Sequence, residues 1–255
     1  MYTKLNINKF FVLFLIQLSV LNLWAQETDL QTAADAYSKG EFATAAEIYE
    51  STLKTDGESV NVYYNLGNCY YKMDKIAPAI LSYERALLLN PGDKDTRFNL
   101  EIAKLQTVDK IEPIEQFFLT EWIQSLQSIF GTNTWSKIGI GSFILLISSL
   151  VLFFFSRKIM LKKLGFYTGI IWLIFTIISN CFAYNQKQKL LERNTAIVFA
   201  PTVTIKSSPD NSGNDLFILH EGTKVSIKSK LGDWCEIQIA DGNVGWIKNS
   251  NIEII

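Results

Sequence analysis

Hydrophobic positions divide the chain into four regimes. Behind Lys4 and Lys9, a mostly apolar run from Phe10 to Trp24 gives way after Ala25 to polar Gln26-Glu27-Thr28-Asp29. A pattern with a period of 34 residues follows: Ala45, Tyr49 and Leu53 recur as Ala79, Tyr83 and Leu87, and Tyr64-Asn65-Leu66 recurs as Phe98-Asn99-Leu100. Such a period marks a helical repeat array, with helices predicted at 29–39, 42–54, 60–73, 76–89 and 94–107. Two runs then lack any charge, Ile138 to Ser156 and Leu164 to Tyr184, and Phe153-Phe154-Phe155 leaves no polar face. The last sixty residues alternate, as in Thr223-Lys224-Val225-Ser226-Ile227 and Trp234-Cys235-Glu236-Ile237-Gln238-Ile239. Turn signals recur at Ser212-Gly213, Glu221-Gly222, Gly232-Asp233 and Asp241-Gly242, which predicts a small all-β barrel.

The two uncharged runs, at 1.5 Å per residue, reach roughly 28 and 31 Å, matching a hydrocarbon layer of about 30 Å. They predict a transmembrane hairpin at 137–156 and 164–184; the alternative is a helical pair buried in a soluble core. Between them, residues 157–163 carry four positive charges and no negative one, a loop that the positive-inside rule assigns to the cytoplasm. Residues 1–25 have the pattern of a secretory signal peptide. Signal and loop agree: residues before the first span and after the second are expected on the periplasmic face of a bacterial inner membrane. The net charge is −1, residues 26–116 carry sixteen acidic against nine basic side chains, and residues 185–255 balance eight against eight. Outside the short loop no segment has the basic footprint that a phosphate backbone requires, so nucleic acid is set aside as a partner.

Residues 60–93 resemble a tetratricopeptide repeat (TPR), with Tyr63, Leu66, Gly67, Tyr70, Ala79, Tyr83, Ala86 and Pro91 at the family's eight positions. The resemblance implies an all-α TPR domain at 28–107, about two and a half repeats, closed by a half-repeat acting as a cap. It also implies a concave groove that binds a protein partner, with Tyr37, Tyr64, Asn65, Asn68, Tyr71 and Asn99 facing it. Amides there can hold a peptide backbone and tyrosines supply rigid contact area. The basic residues of the carboxylate-clamp subtype are not at the matching positions.

The connector at 108–136 places Phe118, Trp122, Leu126, Ile129 and Phe130 on one helical face over 114–130. Such a helix lies at the outer membrane interface or packs against the repeats. A polar linker at 185–194 leads to the β region at 195–255. There His220-Glu221-Gly222-Thr223-Lys224-Val225, Gly232-Asp233-Trp234 and Gly245-Trp246-Ile247 resemble a bacterial SH3-like (SH3b) domain. Trp234 and Trp246 are candidate partner contacts there, weighed against core roles. Cys69, Cys181 and Cys235 fall in three different modules without C-x-x-C spacing, and His220 is the single histidine. Neither a zinc site nor a disulfide framework is expected, and the cysteines read as buried small hydrophobes. Nothing in sequence orients His220 toward a role beside Cys235, so no nucleophile constellation emerges and an enzyme is not expected. No cofactor is implied.

Taken in order, signal peptide, TPR, aromatic connector, hairpin with basic loop and SH3b, the chain resembles the BatE family of the Bacteroides aerotolerance (Bat) operon. The connector's Phe117-Phe118, Trp122 and Trp135 and the run Asp215 to Val225 carry the likeness most specifically. The resemblance implies a non-enzymatic membrane scaffold working with von Willebrand A-domain membrane proteins, a MoxR-type ATPase and other Bat-operon products, in aerotolerance or envelope stress. The alternative is an envelope module that binds peptidoglycan through the SH3b domain.

Overall fold

The computed structural model describes residues 29–114 and 117–255; the signal peptide expected at 1–25, and Glu115 of the connector, lie outside the described residues. The first part is a run of antiparallel helices: α1 (29–38), α2 (Phe42–Asp56), α3 (Val60–Lys72), α4 (Ile76–Leu89) and α5 (Lys94–Lys104). Small residues allow their close approach. A Cβ on Gly67 would stand 2.5 Å from the Tyr83 ring, so α3 and α4 meet at a distance that only glycine permits. Pro78 sits in the first turn of α4, where its missing N–H has no intrahelical use. At the start of α5, Asp93 caps the helix by accepting from Thr96 N–H at 2.9 Å. Phe98, on the outer face of this final half-repeat, is 66% exposed.

The connector forms α6 (Phe118–Gln127), shorter than the predicted 114–130. Its face bearing Phe118, Leu119, Trp122 and Ile123 is exposed, while the turn after it packs on the repeats: a Cβ on Gly92 would collide with Ile129 O at 2.2 Å. Its apolar face is open, and the turn at its C-terminal end is docked on the repeats.

Helices α7 (Thr132–Phe155) and α8 (Ile159–Glu192) form the hairpin. They meet along a seam of small residues, Gly139, Ser142 and Ser149 on α7 facing Gly165, Gly169, Ser179 and Ala183 on α8, and Thr168 Oγ1 donates to Ser149 Oγ at 3.1 Å. Both helices are long and apolar enough to cross a membrane, and only 17% of each apolar window is buried. A pair buried in the core of this chain would be covered, and most of this surface is not. Two expectations are corrected. The basic loop 157–163 shrinks to residues 156–158, because α8 begins at Ile159 and takes up Lys162 and Lys163. The linker 185–194 is helical as far as Glu192, because the polar residues after Tyr184 simply extend α8, until Arg193 enters the left-handed region at φ 44° and ends it. Cys181, expected to be buried, is exposed on α8, while Cys69 and Cys235 are buried as expected.

Residues 195–255 form one antiparallel seven-stranded sheet in the order β3-β2-β6-β5-β4-β1-β7. The strands are β1 (Thr195–Val198), β2 (Thr202–Lys206), β3 (Asp215–His220), β4 (Lys224–Leu231), β5 (Trp234–Gln238), β6 (Val244–Lys248) and β7 (Ile252–Ile254). Inward residues from every strand, among them Val198, Ile205, Leu219, Val225, Ile237, Ile247 and Ile252, converge on one core, so the sheet curls around it.

The β domain is docked on the repeats rather than tethered beyond the hairpin. On β1, Ala196 and Val198 face the β core, while Ile197 points the other way and joins Ile80, Leu100 and Ile255 in the helical core. Burying a side chain of that size is worth roughly 1.5–3 kcal/mol. Polar contacts ring this patch. Lys224 Nζ reaches Glu84 Oε2 at 2.6 Å, Arg85 donates to Ile254 O at 2.6 Å, and Arg193 pairs with Glu58. The connector fastens the other side, where Ile114 N–H donates to Ala240 O at 3.1 Å and Asp109 accepts from His220 N–H at 2.7 Å and from Thr223 Oγ1 at 2.6 Å.

Gly222 concentrates this docking at one turn. Its φ is +85°, and a Cβ there would lie 2.7 Å from Thr107 and 3.2 Å from Ile80. Gly222→Ala is therefore expected to cost about 1–3 kcal/mol, read as a lower unfolding temperature and faster amide exchange in β1 and β7. Asp109 gives the docking an acid limit. Burial opposes its ionisation, but the hydrogen bonds from Thr223 and His220 outweigh that and hold its carboxyl below its ordinary 3.8. The sign follows from linkage: its contribution is complete above the unfolded value and fades as pH falls through the lower folded one. Hydrogen exchange across the β4 turn between pH 6 and 3 should show loosening below about pH 4, and Asp109→Asn should remove that dependence while weakening the docking at neutral pH.

Candidate binding groove

Helix α3 places Tyr64, Asn68 and Tyr71 on one face by their four- and three-residue spacing. Facing them are Tyr37 from α1, Tyr83 from α4, and Asn99 and Ile102 from α5; with Lys72 they line a concave pocket of about 270 Å³. Five of the six helical residues expected from sequence thus meet in one place. Asn65 does not line it: its side chain bonds to Tyr49 on α2. One residue along α3 from Tyr64 is a rotation of about 100°, which turns it from the groove to the neighbouring helix.

The floor of the groove is a connected polar network. Asn68 Oδ1 accepts from Tyr83 Oη at 2.7 Å and from Asn99 Nδ2 at 2.8 Å, and the same Asn99 amide lies 3.3 Å from Tyr64 Oη. Gln106 donates to Tyr71 Oη at 2.6 Å. The network fixes the side chains that a ligand would meet, so less rotamer entropy is lost on binding. Tyr83 is fully buried and burial pushes its phenol well up; burial also raises that of Tyr37, and both remain neutral hydrogen-bonding groups at neutral pH. Burial also raises the Cys69 thiol beneath the groove to about 11, which suits a packing residue and not a nucleophile. Amides, phenols and a single lysine equip the groove for the backbone and side chains of an extended or helical peptide.

Lys72, Tyr83 and Ile102 line the groove in addition to the residues expected from sequence. Tyr83 was legible as a repeat packing position, and its hydroxyl reaches the groove only through its pairing with Asn68. Lys72 and Ile102 enter through the helix crossing, for which spacing gives no signal.

Trp234 and Trp246 stand elsewhere. Cys235, Ile237 and Ile247 fill the β core, so by strand alternation both tryptophans lie on the opposite, outer face, half-buried; the core role is corrected. Pairing of Glu236 with Trp246 and of Trp234 with Lys248 makes the two rings diagonal neighbours, with Lys248 Nζ 5.5 Å from the Trp234 ring centroid. His220 does acquire an orienting group that sequence could not reveal: its Nδ1 lies 2.8 Å from Asp109 Oδ1, from a connector 111 residues earlier. Cys235 does not complete a triad, since its Sγ is buried and donates to Asn249 Oδ1 at 2.8 Å.

Comparison with known proteins agrees with this division. The profile of the tetratricopeptide repeat family matches residues 60–93, and that of the bacterial SH3 domain matches residues 201–253. The chain is therefore a protein with TPR and bacterial SH3 domains, separated in sequence by two helices that are candidate membrane spans. No curated protein matches it. Among solved structures it is similar to the Yersinia enterocolitica type III secretion translocator chaperone SycD at 14% identity, over 59% of this chain and 83% of that one, with a TM-score of 0.31; a superposition that loose defines neither fold nor function.

Asn68→Ala removes the shared acceptor of Tyr83 and Asn99 and leaves a buried phenol unpaired. A loss of about 1–3 kcal/mol is expected, measured by denaturant titration of the detergent-solubilised chain. Tyr71→Phe, whose hydroxyl partner Gln106 is exposed, should change stability by less than about 0.5 kcal/mol.

Proposed function

We propose that this protein is a non-enzymatic membrane scaffold whose TPR groove takes up a protein partner on the periplasmic side of a bacterial inner membrane. The observation that carries the reading is the gathering of Tyr37, Tyr64, Asn68, Tyr71 and Asn99 around one pre-ordered pocket. Two further features support the membrane geometry. The hairpin leaves most of its apolar surface uncovered, and the repeat and β domains pack together at one end of it, which requires both to lie in one compartment. An even number of spans with Arg157 and Lys158 at the opposite turn meets that requirement, and the positive-inside rule then puts the turn in the cytoplasm. The resemblance to BatE extends the reading to a Bat-type complex with von Willebrand A-domain membrane proteins and a MoxR-type ATPase, serving aerotolerance or envelope stress.

In vivo crosslinking followed by affinity isolation should recover membrane partners with the native chain and lose them with Tyr64→Ala/Tyr71→Ala; full recovery with that variant removes the groove from the reading. Periplasm-active reporter enzymes fused after Ile255 should be active, and activity of cytosolic reporters there would overturn the topology. A second reading, binding of peptidoglycan, is favoured by the pair Trp234 and Trp246, half-buried on the outer face of the sheet. The full chain would then sediment with purified sacculi, and Trp234→Ala/Trp246→Ala would not.

A further inference from the structure

A cavity of about 210 Å³ lies where the repeats, the connector, the hairpin and the β domain meet. Glu84, Gln127, Gln186, Lys189 and Lys224 contribute its polar wall, and Leu88 is among its apolar residues. Gln186 is the anomaly. Its Nε2 donates to Gln127 O at 2.6 Å and to Phe130 O at 2.7 Å. Both are carbonyl acceptors, so the amide can be oriented only one way. That leaves Oε1 buried and without a partner among the described residues, on a side chain whose residue is 6% exposed. A buried acceptor without a partner is rare in a folded chain, and this one belongs to a residue that lines the cavity.

Glu84 lines the same cavity. It is nearly buried, and although Lys224 engages its Oε2 at 2.6 Å, its Oε1 has only Lys104 at 3.6 Å, beyond hydrogen-bond length. One turn along α8 from Gln186, the exposed Lys189 offers a positive charge. The depth of these groups identifies the ligand's source. The uncharged run of α8 ends at Tyr184, so by helical rise Gln186 lies about 3 Å and Lys189 about 7.5 Å past the hydrocarbon edge. The headgroup layer on each side of a bilayer is about 5–8 Å deep.

We propose that this cavity binds the headgroup of a phospholipid ending in a primary ammonium, as in phosphatidylethanolamine, with the ammonium donating to Gln186 Oε1 and Glu84 and the phosphate facing Lys189. The proposal rests on the membrane-spanning reading of the hairpin. A choline headgroup has no N–H to give to Gln186, and a glycerol headgroup carries no positive charge for Glu84.

The test uses the full chain released from nanodiscs holding equal amounts of phosphatidylethanolamine, phosphatidylcholine and phosphatidylglycerol, with retained lipid counted by native mass spectrometry. One phosphatidylethanolamine should be retained, preferred about tenfold or more over phosphatidylcholine. Lys189→Glu, at an exposed position, and Gln186→Met should each reduce that preference several-fold. Equal retention of the three lipids, or a preference that survives both variants, overturns the site. Displacement by free O-phosphoethanolamine at matched concentration would overturn the lipid as source. Alkaline extraction of membranes carrying the same chain reads insertion separately: a chain that washes out defeats the spanning reading, whereas an inserted chain without lipid preference defeats only this site.

Discussion

Everything above the hairpin hangs on the packing of strand β1 against helix α4. A strand at that place in a small barrel ordinarily has one face in the core and one in water, yet Ala196, Ile197 and Val198 are all fully buried. Two residues serve the β core, and Ile197 between them, together with Ile255, serves the helical one. The two domains therefore share a continuous interior. Removing either would leave the other with an exposed apolar face, so the chain's two soluble parts stand or fall together even though the hairpin separates them in sequence.

That shared interior constrains the rest. Residues 195 onward can reach α4 only if α7 and α8 return the chain to the side it left. The hairpin's seam of Gly139, Ser142, Ser149, Gly165 and Gly169 holds the two helices close enough to do so. The connector then works as a strap. Ile111 packs into the β core, and Asp109 gathers the His220 and Thr223 ends of the β4 turn. Since the β domain occupies the α4 side, the groove of α1, α3 and α5 faces away from it and stays open. The polar groove and the tryptophan-bearing sheet are thus two separate faces rather than one composite site.

Charge plays a supporting part. Glu84 is ringed by Lys104 and Lys224, and Arg85 reaches the carbonyl of Ile254; these partly buried contacts fix the angle of docking more than they add to its strength, since desolvation offsets much of their attraction. Tyr70 bonded to Glu50, beside Phe199 and Glu253 of the β domain, works in the same way between α2 and α3.

What the sequence by itself determined was everything governed by local period. The 34-residue recurrence set four of the five helices to within two residues at either end, the uncharged runs defined the hairpin, and alternation with glycine turns marked the β domain. The groove residues came from the resemblance to the repeat family, and the 3.6 residues per turn of α3 put Tyr64, Asn68 and Tyr71 on one face. Tertiary structure alone decided what depends on distance in sequence: the meeting of Asp109 with His220, of Ile80 with Ile197, and of Gln186 with Gln127. It also decided that polar residues after Tyr184 continue a helix, and that Trp234 and Trp246 face outward. The physical reason is common to all of these. Periodicity states which side of an element is apolar, but which partner covers that side is settled by the free energy of packing between segments that no local pattern connects.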